Sequence, residues 1–332
     1  MTLILVRKLL RDIRWPLLVV WLLLFSFSGL WVKIAHSVTT EIAPFFNTLG
    51  QLANLGGKKE VKETFDKVVF AGPGKVSQAV LGGSNINFNN PLDFLAVQML
   101  HPVVMVLACL WGIGRAAGAV SGEIEKGTME LLLSQPVPRD RLIFAHLLVD
   151  LLVIPIICSA NLAGTQFGLW VVGDFVVDYR SINELDLPAF MKSNRPAETL
   201  VFSARDQWGA AVELAALMFA ISGLTMLYSA CGRSRWRVIG WAVLTVLVMF
   251  ILNVLGQLWG EIAFLRPLSV FYYYQPQNIW LHKQWLLDLG EVWNGGKPMF
   301  QVPPVLVLGA IGTGGYLLAL RVFTRRDLPS PL

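Results

Sequence analysis

The sequence predicts an all-α integral membrane protein with six transmembrane helices. Three observations carry that prediction. Of 332 residues, 55% are hydrophobic and only 15% charged, with a mean hydropathy of +0.58. Separate apolar runs of about 20 residues recur along the chain, each long enough at 1.5 Å rise to cross the hydrocarbon layer. Lysines and arginines concentrate in alternate connections between those runs. The net charge of +5 reads as cations flanking membrane helices, not as a nucleic-acid surface. The cysteines Cys109, Cys158 and Cys231 lie in or at the ends of apolar runs, with no disulfide framework and no metal-ligand spacing.

Residues 1–14 alternate Leu, Ile and Val with Arg7, Lys8, Arg11 and Arg14, and the arginines fall at helical spacing. This predicts an amphipathic elbow helix lying in the membrane interface. The first span follows at 16–35. A cleaved signal peptide is the alternative, with Ala35-His36-Ser37 as its small-residue site; against it, the apolar run is longer than a signal core.

Residues 37–95 form a long polar segment with turns at Gly72-Pro-Gly74 and Gly82-Gly83. Gly74-Lys75 suggests a phosphate-binding loop, but Val69 stands where that motif needs its first glycine and Val76 where it needs a hydroxyl. The chain is therefore expected to carry no nucleotide site, no cofactor, no metal site and no catalytic residues of its own. The second span, 95–117, runs into Gly114, Gly118 and Gly122, a four-residue spacing that lets helices approach closely in lipid.

The stretch 122–141 is charged and punctuated. Thr128 is placed to cap a short helix whose first turn carries Glu130, a charge that suits the helix dipole. Leu131, Leu132 and Leu133 give it an apolar side, Pro136 ends it, and Pro138 precedes the next helix. Such an element is suited to docking into another protein. The third span, 140–173, is too long for a straight crossing and is expected to protrude or to bend near Pro155 or Gly164. A polar loop leads to the fourth span at 208–230. Arg233, Arg235 and Arg237 mark a tight turn into the fifth span, 237–259, and a second, smaller contact. Residues 262–303 are mixed, with Trp280, Trp285 and Trp293 suggesting an interfacial helix over 279–293. The sixth span is 304–323.

Segments 1–14, 115–141, 231–237 and 321–332 hold 14 Lys or Arg in 60 positions. Segments 37–95, 173–206 and 262–302 hold 12 in 134. By the positive-inside rule both termini and 122–141 are expected to be cytoplasmic, and 37–95 extracytoplasmic.

Ionisable groups at membrane depth are costly and by default functional. His146, Asp150 and Glu213 fall within spans, along with Gln98, His101 and Asn253. A proton-coupled carrier would use such a set. The favoured alternative is structural: Asp150 pairs with His146 one turn away. With four histidines and no His-Glu-x-x-His, an intramembrane enzyme has little support.

The phrase Glu123-Ile-Glu125-Lys-Gly127-Thr128-Met-Glu130-Leu131-Leu132-Leu133, followed by Pro136-Val137 and Arg139, resembles the membrane subunits of type-2 ABC transporters. That family places such a motif between its second and third spans, an elbow helix before the first, and a hydrophobic excursion before the sixth. Residues 1–14 and 265–279 resemble the last two, and Phe323-Thr-Arg-Arg-Asp-Leu is similar to the end of permeases with a long first external loop. The resemblance implies a permease subunit, an exporter of the bacterial-type cytoplasmic membrane. It would pair with a second copy or a homologue and dock on separate ATPase subunits that bind ATP and Mg. Glu123, Glu125, Gly127, Thr128, Glu130, Leu131 and Leu132 would form the contact with the ATPase. A membrane partner whose ATPase acts on an external protein through 37–95 stays open as an alternative.

Overall fold

The computed structural model describes residues 2–38, 40, 91–129, 138–177, 198–200, 204–293 and 299–326. Its main elements are helices: α1 Thr2–Ser37, α2 Pro91–Leu100, α3 Pro102–Ala117, α4 Ser121–Glu125, α5 Arg139–Val172, α6 Trp208–Cys231, α7 Arg235–Leu258, α8 Pro276–His282, α9 Gly290–Trp293 and α10 Pro304–Arg325. Two small antiparallel ribbons are present. Strands β1 (Phe175–Val177) and β2 (Glu198–Leu200) form one, with Phe175 opposite Leu200; β3 (Leu287–Asp288) and β4 (Gln301–Val302) form the other. Among the described residues six helices are long and apolar enough to cross a membrane, and the protein is an all-α integral membrane protein.

The first helix differs from expectation. The proposed elbow, 1–14, is not a separate element: α1 runs unbroken for 36 residues, through Pro16. Pro16 sits in a long apolar helix whose neighbours supply the packing that outweighs one lost backbone bond. The second span differs the other way. It is broken at His101, which precedes Pro102 and is pushed into an extended conformation (φ −60°, ψ 137°). The His101 ring nitrogen Nδ1 then accepts the Val103 N–H at 3.2 Å. That leaves the Met99 carbonyl without its helical donor, and the Tyr274 hydroxyl donates to it at 2.8 Å. The third span runs as one helix of 34 residues through Pro155.

Two glycine contacts bring helices together. Gly164 and Gly168 of α5 lie against Phe25, Ser28, Gly29 and Val32 of α1, where any Cβ would collide. Gly223 of α6 meets Gly312 and Gly315 of α10 backbone to backbone. Dispersion and lost lipid contacts favour such approaches in a bilayer, where no hydrophobic drive separates helix from lipid. Among the described residues of this chain no helix seats on the expected ladder of Gly114, Gly118 and Gly122. Helix α3 stops at Ala117, a Cβ at Gly114 would meet nothing, and Gly118 and Gly122 face the side chain of Arg235.

The buried interior is formed by α2, α3, α5 and α6, while α1 and α7 expose Leu18, Leu22, Leu23, Leu244, Leu247 and Ile251 outward, as lipid-facing helices do. Residues 260–303 do not form one interfacial helix over 279–293. A 3-10 helix at Gly260–Leu268 packs on α7, and α8 packs on α2 and α6 and ends at Lys283 in the left-handed region (φ 55°). Trp280 is buried in the core, Trp285 packs on Trp208 and Gly209, and only Trp293 of the three is as exposed as an anchor requires.

Candidate functional site

The first helical turn of α1, the connections 118–129 and 232–234, the start of α5 and the end of α10 meet at one end of the bundle. There α4 is a short helix with a well-formed stop. The Thr128 N–H donates to the Glu123 carbonyl at 3.0 Å and the Gly127 N–H to the Ile124 carbonyl at 3.1 Å, with Gly127 at φ +70°. This is the pair of bonds that closes a helix around a left-handed glycine. The Thr128 hydroxyl donates to a Glu123 carboxylate oxygen at 2.5 Å. Thr128 was expected to cap a helix after it, and that stretch lies outside the described residues; its bonds to described residues reach back to the helix before it. Glu130, Leu131 and Leu132, the expected contact residues, lie outside the described residues.

The second connection is joined to the first. A Glu125 carboxylate oxygen accepts the backbone N–H of Arg235 at 2.6 Å, supplying an acceptor at the start of α7. The Arg235 guanidinium crosses Gly118 and Gly122 and donates to the Gly114 carbonyl at 3.2 Å. Arg233 is exposed on the turn. From α6, the Ser229 hydroxyl accepts the N–H groups of Val120 and Ser121, both at 3.1 Å, so the turn leaving the second span is held by the fourth. Arg326 donates to the Ala230 and Gly232 carbonyls at 2.7 and 2.9 Å, satisfying the end of α6, while Arg139 donates to the Arg326 carbonyl at 2.7 Å.

One turn deeper lies a buried polar network. Arg115, the last charged residue of α3, forms an ion pair with Asp150 of α5, their side chains 7% and 0% exposed. The same carboxylate oxygen accepts from Ser222 of α6 at 2.5 Å and from Tyr316 of α10. Arg115 also meets Nδ1 of His146 at 3.1 Å and donates to the His146 carbonyl at 3.2 Å. The expected pairing of Asp150 with His146 is thus corrected: both turn to Arg115. Arg115 had been counted among the cations of a connection, and it lies inside the bundle. A charge near the end of an apolar run, opposite in sign to Asp150, was the available signal; Ser222, Tyr316, Ser229 and Arg326 gave none. An ion pair in this setting is held by geometry, because unpairing either member leaves a charge where water does not reach.

Glu213 is brought to neither of these places. It is fully buried near the start of α6, at the other end of the bundle, where the Gln275 backbone amide faces its carboxyl. Gln98 belongs to another internal network, donating to Ser28 at 2.7 Å while Ser28 donates to Asn161 at 2.9 Å. Among the described residues no group of three or more His, Cys, Asp or Glu is placed to hold a metal ion.

A family model described as ABC-2 family transporter protein matches residues 6–328. Comparisons with curated proteins and with solved structures find no match.

Proposed function

The chain belongs to the ABC-2 family of transporter proteins, and on that premise we propose that it is the permease of an ATP-driven exporter whose ATPase is a separate polypeptide. It works as a pair with a second copy or a homologue, and 122–141 is its coupling element on the cytoplasmic side. The single observation that carries the coupling role is the bond from Glu125 to the Arg235 backbone, which makes the two connections at that end one body.

The mechanism follows from what is tied to what. The ATPase pair closes on nucleotide and pushes the segment that contains Glu130, Leu131 and Leu132. The load enters α4, whose left-handed Gly127 and Thr128–Glu123 bond hold its end at a fixed angle. From α4 it passes through Glu125 to α7 and through Ser229 to α6. Arg115 then links α3 to α5 and α10 through Asp150, His146 and Tyr316. Helices joined by short charge-assisted bonds move as rigid bodies, and a push on one end is delivered as a rotation of the spans. Charged groups at the docking rim set orientation, and Leu131 and Leu132 supply the buried anchors. Bilayer lipid surrounds α1 and α7, and nucleic acid has no part.

The test is a double variant, Glu130→Arg with Leu131→Asp, expressed with the ATPase that co-purifies with the wild-type chain. Loss of co-purification and of ATP-driven flux is the expected result. A variant that still co-purifies and transports at the wild-type rate would overturn the docking assignment.

A further inference from the structure

A groove opens between the first turn of α1, the start of α5 and the last turns of α10. Its volume is about 640 Å³, within the range of about 300–1,000 Å³ in which proteins bind small molecules. Its walls are mostly apolar. Ile143 and Leu147 lie one turn apart on α5, and Leu317 and Leu320 come from α10. Leu3 and Phe144 are exposed at its edges. The deepest residue of α10 on its wall is Tyr316, whose hydroxyl donates to Asp150.

The mouth carries two opposite charges, Asp140 and Arg141, in the first turn of α5, and both are exposed. Neither forms an ion pair with the other or with any other described residue. The helix dipole favours an acid at this position but leaves the carboxylate oxygens open. From Asp140 to Leu147 the helix rises about 10 Å. A cation and an anion at the end of a span thus lead into an apolar trough that runs toward its middle. Atoms facing an empty trough forfeit dispersion contacts, and in a bilayer the group at hand to restore them is an acyl chain.

We propose that this groove holds one phospholipid of the surrounding bilayer, a zwitterionic lipid whose headgroup ends in a primary ammonium. Its phosphate lies on Arg141, its ammonium on Asp140, and one acyl chain runs past Ile143, Leu147 and Leu317 to the Tyr316 ring. This needs the membrane-spanning fold and not the transport reading. A guanidinium matches a phosphate with two parallel N–H bonds. The Asp140 carboxylate accepts from an ammonium, whereas a choline headgroup has no N–H to give. An anionic lipid would answer Arg141 and oppose Asp140; the zwitterion answers both charges at the mouth.

The experiment titrates phosphatidylethanolamine, phosphatidylcholine and phosphatidylglycerol with identical acyl chains into the purified, delipidated full-length chain and follows bound lipid by native mass spectrometry. Wild type is expected to hold one phosphatidylethanolamine about fivefold more tightly than either other lipid, the upper yield of an exposed ion pair. Asp140→Asn should bring phosphatidylethanolamine level with phosphatidylcholine and strengthen phosphatidylglycerol. Arg141→Gln should weaken all three lipids. Leu317→Trp, which fills the trough and leaves both charges in place, should also weaken all three; elution profiles report on the fold of each variant. Equal retention of the three lipids by wild type would overturn the proposal, as would a preference for phosphatidylglycerol. A preference for phosphatidylethanolamine that survives unchanged in both Asp140→Asn and Leu317→Trp would overturn it too.

Discussion

Removing the Asp150 carboxylate should strand Arg115. In Asp150→Ala the guanidinium stays at 7% side-chain exposure with its counter-charge gone, keeping only the His146 ring, the His146 carbonyl and Tyr316 as partners. Breaking a buried pair from one side costs about 3–5 kcal/mol. Arg115→Met strands Asp150 instead, but Ser222 and Tyr316 still donate to it, so the loss should fall toward the lower end of that range. The double variant Arg115→Met, Asp150→Leu leaves neither charge, and replacement of a buried pair by apolar side chains of similar volume is often close to neutral. The two single losses therefore should not add, with an interaction energy of at least about 2 kcal/mol. Reversible unfolding in mixed micelles, followed by the fluorescence of the 12 tryptophans, measures all four proteins. If the double variant loses the sum of the single losses within about 0.5 kcal/mol, the pair is not coupled and the load path through Arg115 is wrong.

Gly127→Ala places a Cβ at φ +70° and should cost about 1 kcal/mol or slightly more, seen as lower coupling between ATP hydrolysis and flux, with fold retained. Gly312→Val drives side-chain atoms into Phe219 and the α6 backbone; the expected result is a loss of about 1–3 kcal/mol or failure to fold, measured by thermal aggregation in detergent. Tyr274→Phe removes the donor to Met99 and should speed amide exchange around 98–103, with a stability loss of about 1–3 kcal/mol; unchanged exchange there would show that the break in the second span holds itself.

The parts of this protein that were legible in the sequence are those set by local patterns. Apolar runs of spanning length mark six helices, and a charge-rich motif between the second and third marks the family. The N-terminal cations did mark one face of a helix, but nothing local said that Pro16 would be carried inside a helix continuing to Ser37. The spacing of Gly114, Gly118 and Gly122 seats no helix of this chain among the described residues. The same four-residue interval occurs at Gly164 and Gly168, where it does seat a helix. Spacing states that a groove can exist, and only the neighbour decides whether a helix or an arginine fills it. The tryptophans of 279–293 likewise show that an aromatic is present without showing whether it faces lipid or core, and Trp280 lies in the core.

The sequence by itself determined the class of molecule and its family motif, because span length, the restriction before a proline and the charge of connections act within one stretch of chain. Only the tertiary structure decided the partners. Asp150 had His146 one turn away and took Arg115 from another span instead, since a guanidinium supplies both the charge and the donors that a buried carboxylate needs. Thr128 closes the helix behind it, because Gly127 bends the chain back toward Glu123. Those choices depend on which helices meet, and that is fixed by the close seats at Gly164, Gly168, Gly223 and Gly312, the last two of which place Ser222 and Tyr316 beside Asp150.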